Sequence, residues 1–206
     1  EKAAPKLCPV TLELGGKNPN IIMSDADLDI AIQGVIDGMR YTRQGQACTA
    51  GSRVYIQEKI YDKVINGAVE KLSKLKMGNA LDEGSDIGAI ISEEQLKRTL
   101  HYMDIAKQTS SAKVVHGGNQ PTGGDYKNGF FYEPTLMSGV PVDSPVCQEE
   151  IFGPVACAIP FKTFEEVMQS ANDTPFGLSA VLWTQNLSRA LEFVEDIEAG
   201  FVQVNQ

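Results

Sequence analysis

Cys48 is the residue in this sequence whose type and neighbours best suit covalent chemistry. It lies in the run Gly45-Gln46-Ala47-Cys48-Thr49-Ala50, next to small and polar residues and to no bulky apolar one. A thiolate in such a loop is a strong nucleophile once its pKa is lowered. Free cysteine often packs in the core as a small apolar residue, so a purely structural role for Cys48 is the alternative. The residues around it in the fold must decide between the two roles.

Glu13 is the second candidate, because it stands between Leu12 and Leu14 and beside the Gly15-Gly16 pair. The alternation of apolar and polar residues over 10–14 predicts a strand that ends at these glycines. A carboxylate at this strand end either points to solvent or is held in an apolar recess. In a recess its pKa rises and it becomes a general base near neutral pH. Both interpretations stay open at this point.

The third candidate is the segment Gln148-Glu149-Glu150-Ile151-Phe152-Gly153-Pro154. Paired glutamates usually belong to a solvated face. In an extended segment, however, a glutamate two residues before a phenylalanine presents a carboxylate and a ring side by side. Such a pair suits a ribose diol and a flat heteroaromatic ring.

Sequence motifs for other chemistry are missing. The chain contains no GxGxxG, no GxxxxGK[ST] and no HExxH. His101 within a predicted helix and His116 at a strand end have settings typical of surface groups. Cys8, Cys147 and Cys157 form no CxxC pair and fit structural roles. We therefore predict no metal site, and we expect reduced thiols.

Composition narrows the possible partners and location. The formal net charge of −9, with its 18 Lys and Arg scattered along the chain, argues against binding to nucleic acid. No apolar run approaches the roughly 20 residues of a membrane span, and the first residues lack a hydrophobic signal core. A cytoplasmic location is expected.

The elements that must position the candidates alternate between helix and strand. Apolar spacing predicts helices over 28–39, 60–75 and 187–198, and capping boxes at Ser92 and Thr163 predict two more. Strand-like runs occur at 53–57, 113–116, 130–132, 155–161, 179–184 and 201–205. This alternation predicts an α/β fold, with a three-layer, doubly wound, mostly parallel sheet and helices on both faces.

Three motifs together resemble the signature of the aldehyde dehydrogenase superfamily. They are Leu12-Glu13-Leu14-Gly15-Gly16-Lys17, Gly45-Gln46-Ala47-Cys48, and Glu149-Glu150-Ile151-Phe152-Gly153-Pro154, in the family's order and with similar separations. The resemblance covers essentially the whole chain. It implies that residues 1–206 are the thiol-bearing catalytic domain, with 1–17 leading in from a cofactor-binding domain that the sequence does not include.

The resemblance implies a role for each catalytic candidate. Cys48 resembles the nucleophile that adds to an aldehyde, giving a thiohemiacetal that loses hydride to a nicotinamide cofactor and becomes a thioester. The backbone amide of Cys48 would supply half of the oxyanion hole. Glu13 resembles the general base that activates the water hydrolysing the thioester.

The implied cofactor is NAD or NADP, bound mainly by the absent domain. Six residues are implied to contact it: Leu14 and Gly15 near the nicotinamide, Glu150 on its ribose, Phe152 beside it, and Gln95 and Arg98 towards the adenosine. The resemblance further implies a homo-oligomer, a dimer or tetramer, in the full-length enzyme. Without the missing domain, the isolated chain is expected not to oxidise aldehydes.

Two other functions are alternatives to a hydrolytic, nicotinamide-dependent enzyme. The first is an aldehyde dehydrogenase that passes the acyl group to coenzyme A, against which Glu13 argues, because that branch needs no hydrolytic glutamate. The second is a scaffold or interaction domain in which Cys48 is only structural. The rate at which Cys48 is alkylated distinguishes the scaffold from the enzyme.

Overall fold

Seven short strands form the sheet at the centre of the computed structural model, which describes residues 2–206. The strands are β1 (Pro19–Ile22), β2 (Arg53–Gln57), β3 (Lys113–His116), β4 (Thr135–Ser138), β5 (Val155–Phe161), β6 (Ser179–Trp183) and β7 (Phe201–Val204). Their order across the sheet is β3-β4-β5-β2-β1-β6-β7. All neighbouring pairs are parallel except β3 and β4, which are antiparallel. The predicted mostly parallel sheet is confirmed.

Helices cover both faces of this sheet. They are α1 (Leu28–Gly38), α2 (Tyr61–Leu72), α3 (Glu93–Gln108), α4 (Pro145–Gln148), α5 (Phe164–Asn172) and α6 (Leu187–Asp196). Successive strand residues point to opposite faces, so Ile22 and Val54 pack with α1 and α2, whereas Ile21 and Tyr55 pack with the other four helices. The central strands are buried on both sides, as parallel strands require. The three-layer prediction is confirmed.

Side-chain caps fix where three helices begin. Asp27 accepts a hydrogen bond from the third residue of α1 at 3.3 Å. Ser92 and Thr163 each accept one from the third residue of α3 and α5, both at 3.2 Å. Each cap satisfies one of the backbone N–H groups that a helix start leaves unpaired. The helix starts predicted from the capping boxes at Ser92 and Thr163 are confirmed.

The strand predicted over 10–14 is wrong. These residues have no regular structure, and Val10, Leu12 and Leu14 are 60%, 67% and 64% exposed. Alternating apolar residues form a strand only where a neighbouring strand offers free backbone groups. Within residues 2–206 no strand pairs with this segment, and the first strand begins at Pro19 instead.

The strand predicted over 130–132 is also wrong, because the pairing begins at Thr135. The Phe131 ring packs edge-on against Tyr126, with ring centroids 5.0 Å apart. The carbonyl of Phe130 accepts a hydrogen bond from the Ile90 backbone at 2.8 Å, outside the sheet. The aromatic residues at 130–132 therefore belong to the loop that leads into β4 and not to a strand of the sheet.

Two kinds of feature do not occur in the described residues. Within 2–206, no three or more His, Cys, Asp or Glu side chains come together as a cluster that could hold a metal ion. None of the helices in the same range has both the length and the apolar character needed to cross a membrane.

Candidate active site

Cys48 lies in a tight turn between α1 and β2. The Ala50 backbone N–H donates to the Ala47 carbonyl at 3.0 Å, which closes the turn around Cys48. Its thiol is unpaired and half-buried. The Cys48 backbone N–H donates no hydrogen bond to any residue in 2–206. That amide is therefore available to a bound oxygen, as an oxyanion site requires.

A buried amide side chain fixes the carbonyl side of this turn. Asn18, which is 2% exposed, donates through Nδ2 to the carbonyls of Cys48 at 2.8 Å and Ala50 at 2.9 Å. Its Oδ1 accepts from the Ser179 backbone at 3.0 Å. Asn18 thus ties the cysteine turn to the start of β6.

The loop that leads to Cys48 requires a glycine. Gly45 has φ +65°, and a Cβ built there would lie 2.2 Å from the Gly153 carbonyl oxygen. A left-handed backbone and this close approach together exclude any side chain at Gly45. The loop of Cys48 is consequently packed against the segment that follows Glu150.

The Gly15-Gly16 pair joins the two candidate motifs. The Gly16 N–H donates to Glu150 Oε1 at 2.9 Å. A Cβ on Gly15 would come within 2.6 Å of Glu150 Oε2, and a Cβ on Gly16 within 2.3 Å of the Cys48 carbonyl oxygen. Only glycine lets the chain pass between the Cys48 turn and the Glu150 carboxylate.

The Glu150 carboxylate can accept further hydrogen bonds. Oε1 is bonded to Gly16, whereas Oε2 has no hydrogen-bond or ion-pair partner within residues 2–206. Phe152, two residues later, is half-buried and has φ +56°. This conformation costs a non-glycine residue about 1 to 2 kcal/mol. An oxygen of this kind can accept hydrogen bonds from a diol such as that of a ribose.

Glu13 is solvent-exposed. Its side chain makes no hydrogen bond or ion pair with the described residues, and its neighbours Leu12 and Leu14 are exposed as well. Of the two settings considered above, the solvent-facing one is observed. The structure brings Cys48, Gly15 and Glu150 together but forms no contact that directs Glu13 towards Cys48. Its role as a base stays a prediction.

Gln95 and Arg98 bind the backbone of the Glu150 segment. Gln95 Nε2 donates to the carbonyls of Ile151 at 2.9 Å and Phe152 at 2.8 Å. Arg98 donates to the Glu150 carbonyl through Nε at 3.1 Å and also through Nη2. The adenosine contacts predicted for these two residues stay predictions.

The two interior cysteines form a pair of their own. Cys147 and Cys157 are 0% and 1% exposed. The neighbouring Cys147 thiol and burial together raise the pKa of Cys157 well above its usual range. Both belong to the core between the sheet and the α3 side. Neither is placed to act as the nucleophile.

Comparisons with known proteins identify the family of this chain. The sequence model described as "Aldehyde dehydrogenase family" matches residues 1–206. The chain belongs to the aldehyde dehydrogenase family. It is 44% identical over 209 residues to an aldehyde dehydrogenase of Deinococcus radiodurans, with 98% of this chain and 40% of that protein covered. It is 39% identical to the D-glyceraldehyde dehydrogenase (NADP(+)) of Picrophilus torridus, with 100% and 41% covered.

Solved aldehyde dehydrogenase structures share the fold. Betaine aldehyde dehydrogenase of Staphylococcus aureus, in complex with NAD+, superposes with a TM-score of 0.92 at 36% identity. That match covers 99% of this chain and 40% of the other. The resemblance stated from the three motifs is confirmed, and the chain spans about two fifths of the length of its relatives.

Sequence reasoning missed two buried polar residues of this aldehyde dehydrogenase chain, Lys17 and Asn18. Both are 2% exposed, and burial lowers the pKa of Lys17. The Lys17 carbonyl accepts from Arg53 Nε at 2.8 Å, which attaches the segment to β2. The sequence carried no local signal for these two residues, because their burial goes with contacts to residues far along the chain.

Proposed function

We propose that this chain is the thiol-bearing part of an enzyme that oxidises an aldehyde to a carboxylic acid with NAD or NADP. The observation that carries the proposal is the contact of one glycine pair with both the Cys48 turn and the Glu150 carboxylate. A nucleophile and a ribose-binding group are thereby brought to adjacent positions, as hydride transfer requires.

Cys48 acts first. Its thiolate adds to the aldehyde carbon, and the carbonyl oxygen takes up the negative charge and is stabilised by the free Cys48 N–H. The dinucleotide supplies a hydride acceptor when bound. Loss of hydride from the carbon converts the adduct into a thioester on Cys48. The acyl group then leaves by reaction with water.

Glu13 accepts the proton of that water. Its carboxylate has no competing partner within the described residues, so it is free to act as a base. Glu13 then passes this proton to the departing Cys48 sulfur, so hydrolysis gives the carboxylic acid and the free Cys48 thiol. Because a carboxylate is present at this position, water rather than coenzyme A is proposed as the acyl acceptor.

Cofactor binding is proposed for Glu150, Phe152, Leu14 and Gly15. Glu150 Oε2 would accept from a ribose hydroxyl, and Phe152 would lie beside the nicotinamide. The relatives support the cofactor class, since one is named for NADP(+) and another was solved with NAD+. Because the chain covers about 40% of these proteins, we expect no complete turnover from residues 1–206 alone.

Two further proposals concern the setting of the whole enzyme. Four unpaired cysteines suit a reducing compartment, and we propose a cytoplasmic one. By family resemblance, we also propose a homo-oligomer, a dimer or tetramer. Ultracentrifugation of the complete enzyme measures this oligomeric state, and a monomer would contradict the proposed dimer or tetramer.

Replacement of Cys48 tests the reaction. In the complete enzyme, Cys48→Ala should abolish aldehyde-dependent formation of the reduced cofactor, whereas Cys8→Ala, an exposed cysteine, serves as the matched control. Near-normal oxidation by Cys48→Ala would reject the proposed mechanism. Covalent capture of the acyl group on Cys48, detected by mass spectrometry, provides an independent readout.

A further inference from the structure

One face of α3 binds the backbone of the segment that carries Glu150 and Phe152. Gln95 and Arg98 together donate to the carbonyls of residues 150, 151 and 152, three in succession. Tyr102, one turn further along the helix, donates to Glu149 Oε2 at 2.7 Å. Four consecutive residues are thus held by side chains spaced three and four apart on one helix.

Two of these three side chains, Arg98 and Tyr102, also support each other. Arg98 Nη2 donates to the Tyr102 hydroxyl at 3.2 Å, and its guanidinium lies 5.3 Å from the centre of the Tyr102 ring. Tyr102 is 3% exposed and belongs to the core. The position of Arg98 is therefore set by a buried ring, and Arg98 in turn sets the Glu150 carbonyl.

The backbone conformation of Phe152 requires hydrogen bonds of this kind to the segment. Its φ of +56° is unfavourable for a residue with a side chain, and such a conformation persists only where surrounding contacts impose it. The Phe152 carbonyl is one of the two that Gln95 binds. Loss of the two Gln95 bonds would let the segment relax towards an ordinary backbone conformation, which would move the Phe152 ring.

We propose that Gln95, Arg98 and Tyr102 are positioning residues that set Glu150 and Phe152 for the nicotinamide-ribose half of the dinucleotide. The inference rests on the proposed function and deepens it. It differs from the adenosine contact that the resemblance implied. Both N–H bonds of the Gln95 side-chain amide, and the Nε and Nη2 groups of Arg98, already donate to backbone carbonyls of the protein. These residues act on the cofactor through the segment that they hold.

Equilibrium binding to the complete enzyme separates the two roles. Dissociation constants for the dinucleotide and for adenosine monophosphate, which lacks the nicotinamide ribose, are measured by calorimetry. Gln95→Met and Arg98→Met should each weaken dinucleotide binding about 10-fold, the equivalent of one net hydrogen bond. Binding of adenosine monophosphate should not change. The matched control is Lys97→Met, on the exposed side of α3, where Lys97 pairs with Glu93 at 2.8 Å.

Two results would overturn the proposal. One is equal weakening of adenosine monophosphate, which would assign Gln95 and Arg98 to the adenosine half. The other is unchanged dinucleotide binding. If Arg98→Met binds neither ligand, Arg98→Lys, which keeps the charge but not the planar fork, is judged by the same criteria. Cys48-dependent cleavage of an activated ester by the wild-type enzyme needs no cofactor, so it tests the proposed function separately.

Discussion

Replacing Asn18 with alanine should destabilise the protein and loosen the Cys48 turn. The substitution removes three hydrogen bonds, to the Cys48 carbonyl, the Ala50 carbonyl and the Ser179 N–H. Two of these partners lie at buried positions and one at a half-buried position. At about 1.5 kcal/mol for each buried bond and about 1 for the other, the loss is about 4 kcal/mol.

Thermal unfolding followed by circular dichroism measures this loss. For a protein of this size, about 4 kcal/mol corresponds to a fall in Tm of about 8 to 16 °C. The alkylation rate of Cys48 by iodoacetamide, read by peptide mass spectrometry, reports the turn itself. We expect this rate to change in Asn18→Ala, because the amide that fixes the Cys48 carbonyl is gone.

Asn20 provides the matched control. It is 1% exposed, accepts from Trp183 Nε1 at 2.7 Å, and donates to the Gly34 carbonyl at 3.2 Å, but it has no hydrogen bond to the Cys48 turn. Asn20→Ala should lower stability without altering alkylation of Cys48. A loss of less than about 1 kcal/mol in Asn18→Ala, or an equal change of Cys48 alkylation in both variants, would contradict the role of Asn18 in fixing the turn.

Three further predictions concern single side chains. Glu13→Gln in the complete enzyme should leave acylation of Cys48 in place and slow its hydrolysis, so the acyl-enzyme accumulates in mass spectra; rapid turnover would exclude Glu13 as the base. In the folded chain, iodoacetamide should modify Cys8 and Cys48 while sparing the two interior cysteines until denaturant is added; modification of all four at once would contradict the burial. The Tyr132 hydroxyl is buried and has no hydrogen-bond partner among residues 2–206, so Tyr132→Phe should raise the free energy of unfolding by about 1 kcal/mol in urea titrations. A loss of similar size would contradict this absence.

The fold was largely predictable because its signals are local. Caps at Ser92 and Thr163 are read directly from the sequence, and the apolar runs of β2 and β5 are buried except at Pro160. The errors at 10–14 and 130–132 have one cause. A strand needs a neighbouring strand with free backbone groups, and no local pattern reports whether that neighbour exists.

The site was predictable in its residue types but not in its contacts. Motif resemblance selected Cys48 and Glu150, which the structure brings to the same glycine pair. The supporting role of Asn18 depends on contacts between residues 30 and 161 positions apart in the chain. Periodicity carries no information on such contacts, so polar residues that hold the backbone of a site escape detection.

The glycine pair at 15 and 16 also has a thermodynamic consequence. The same dipeptide packs against the Cys48 carbonyl oxygen and donates a hydrogen bond to Glu150. A shift of the Cys48 turn that moved the glycines would therefore also move the Glu150 carboxylate. By linkage, any factor by which acylation of Cys48 changes the affinity of Glu150 for a ribose must equal the factor by which the ribose favours or opposes acylation. In the proposed enzyme, acylation of Cys48 and binding of the ribose would then be thermodynamically coupled through the backbone of the glycine pair.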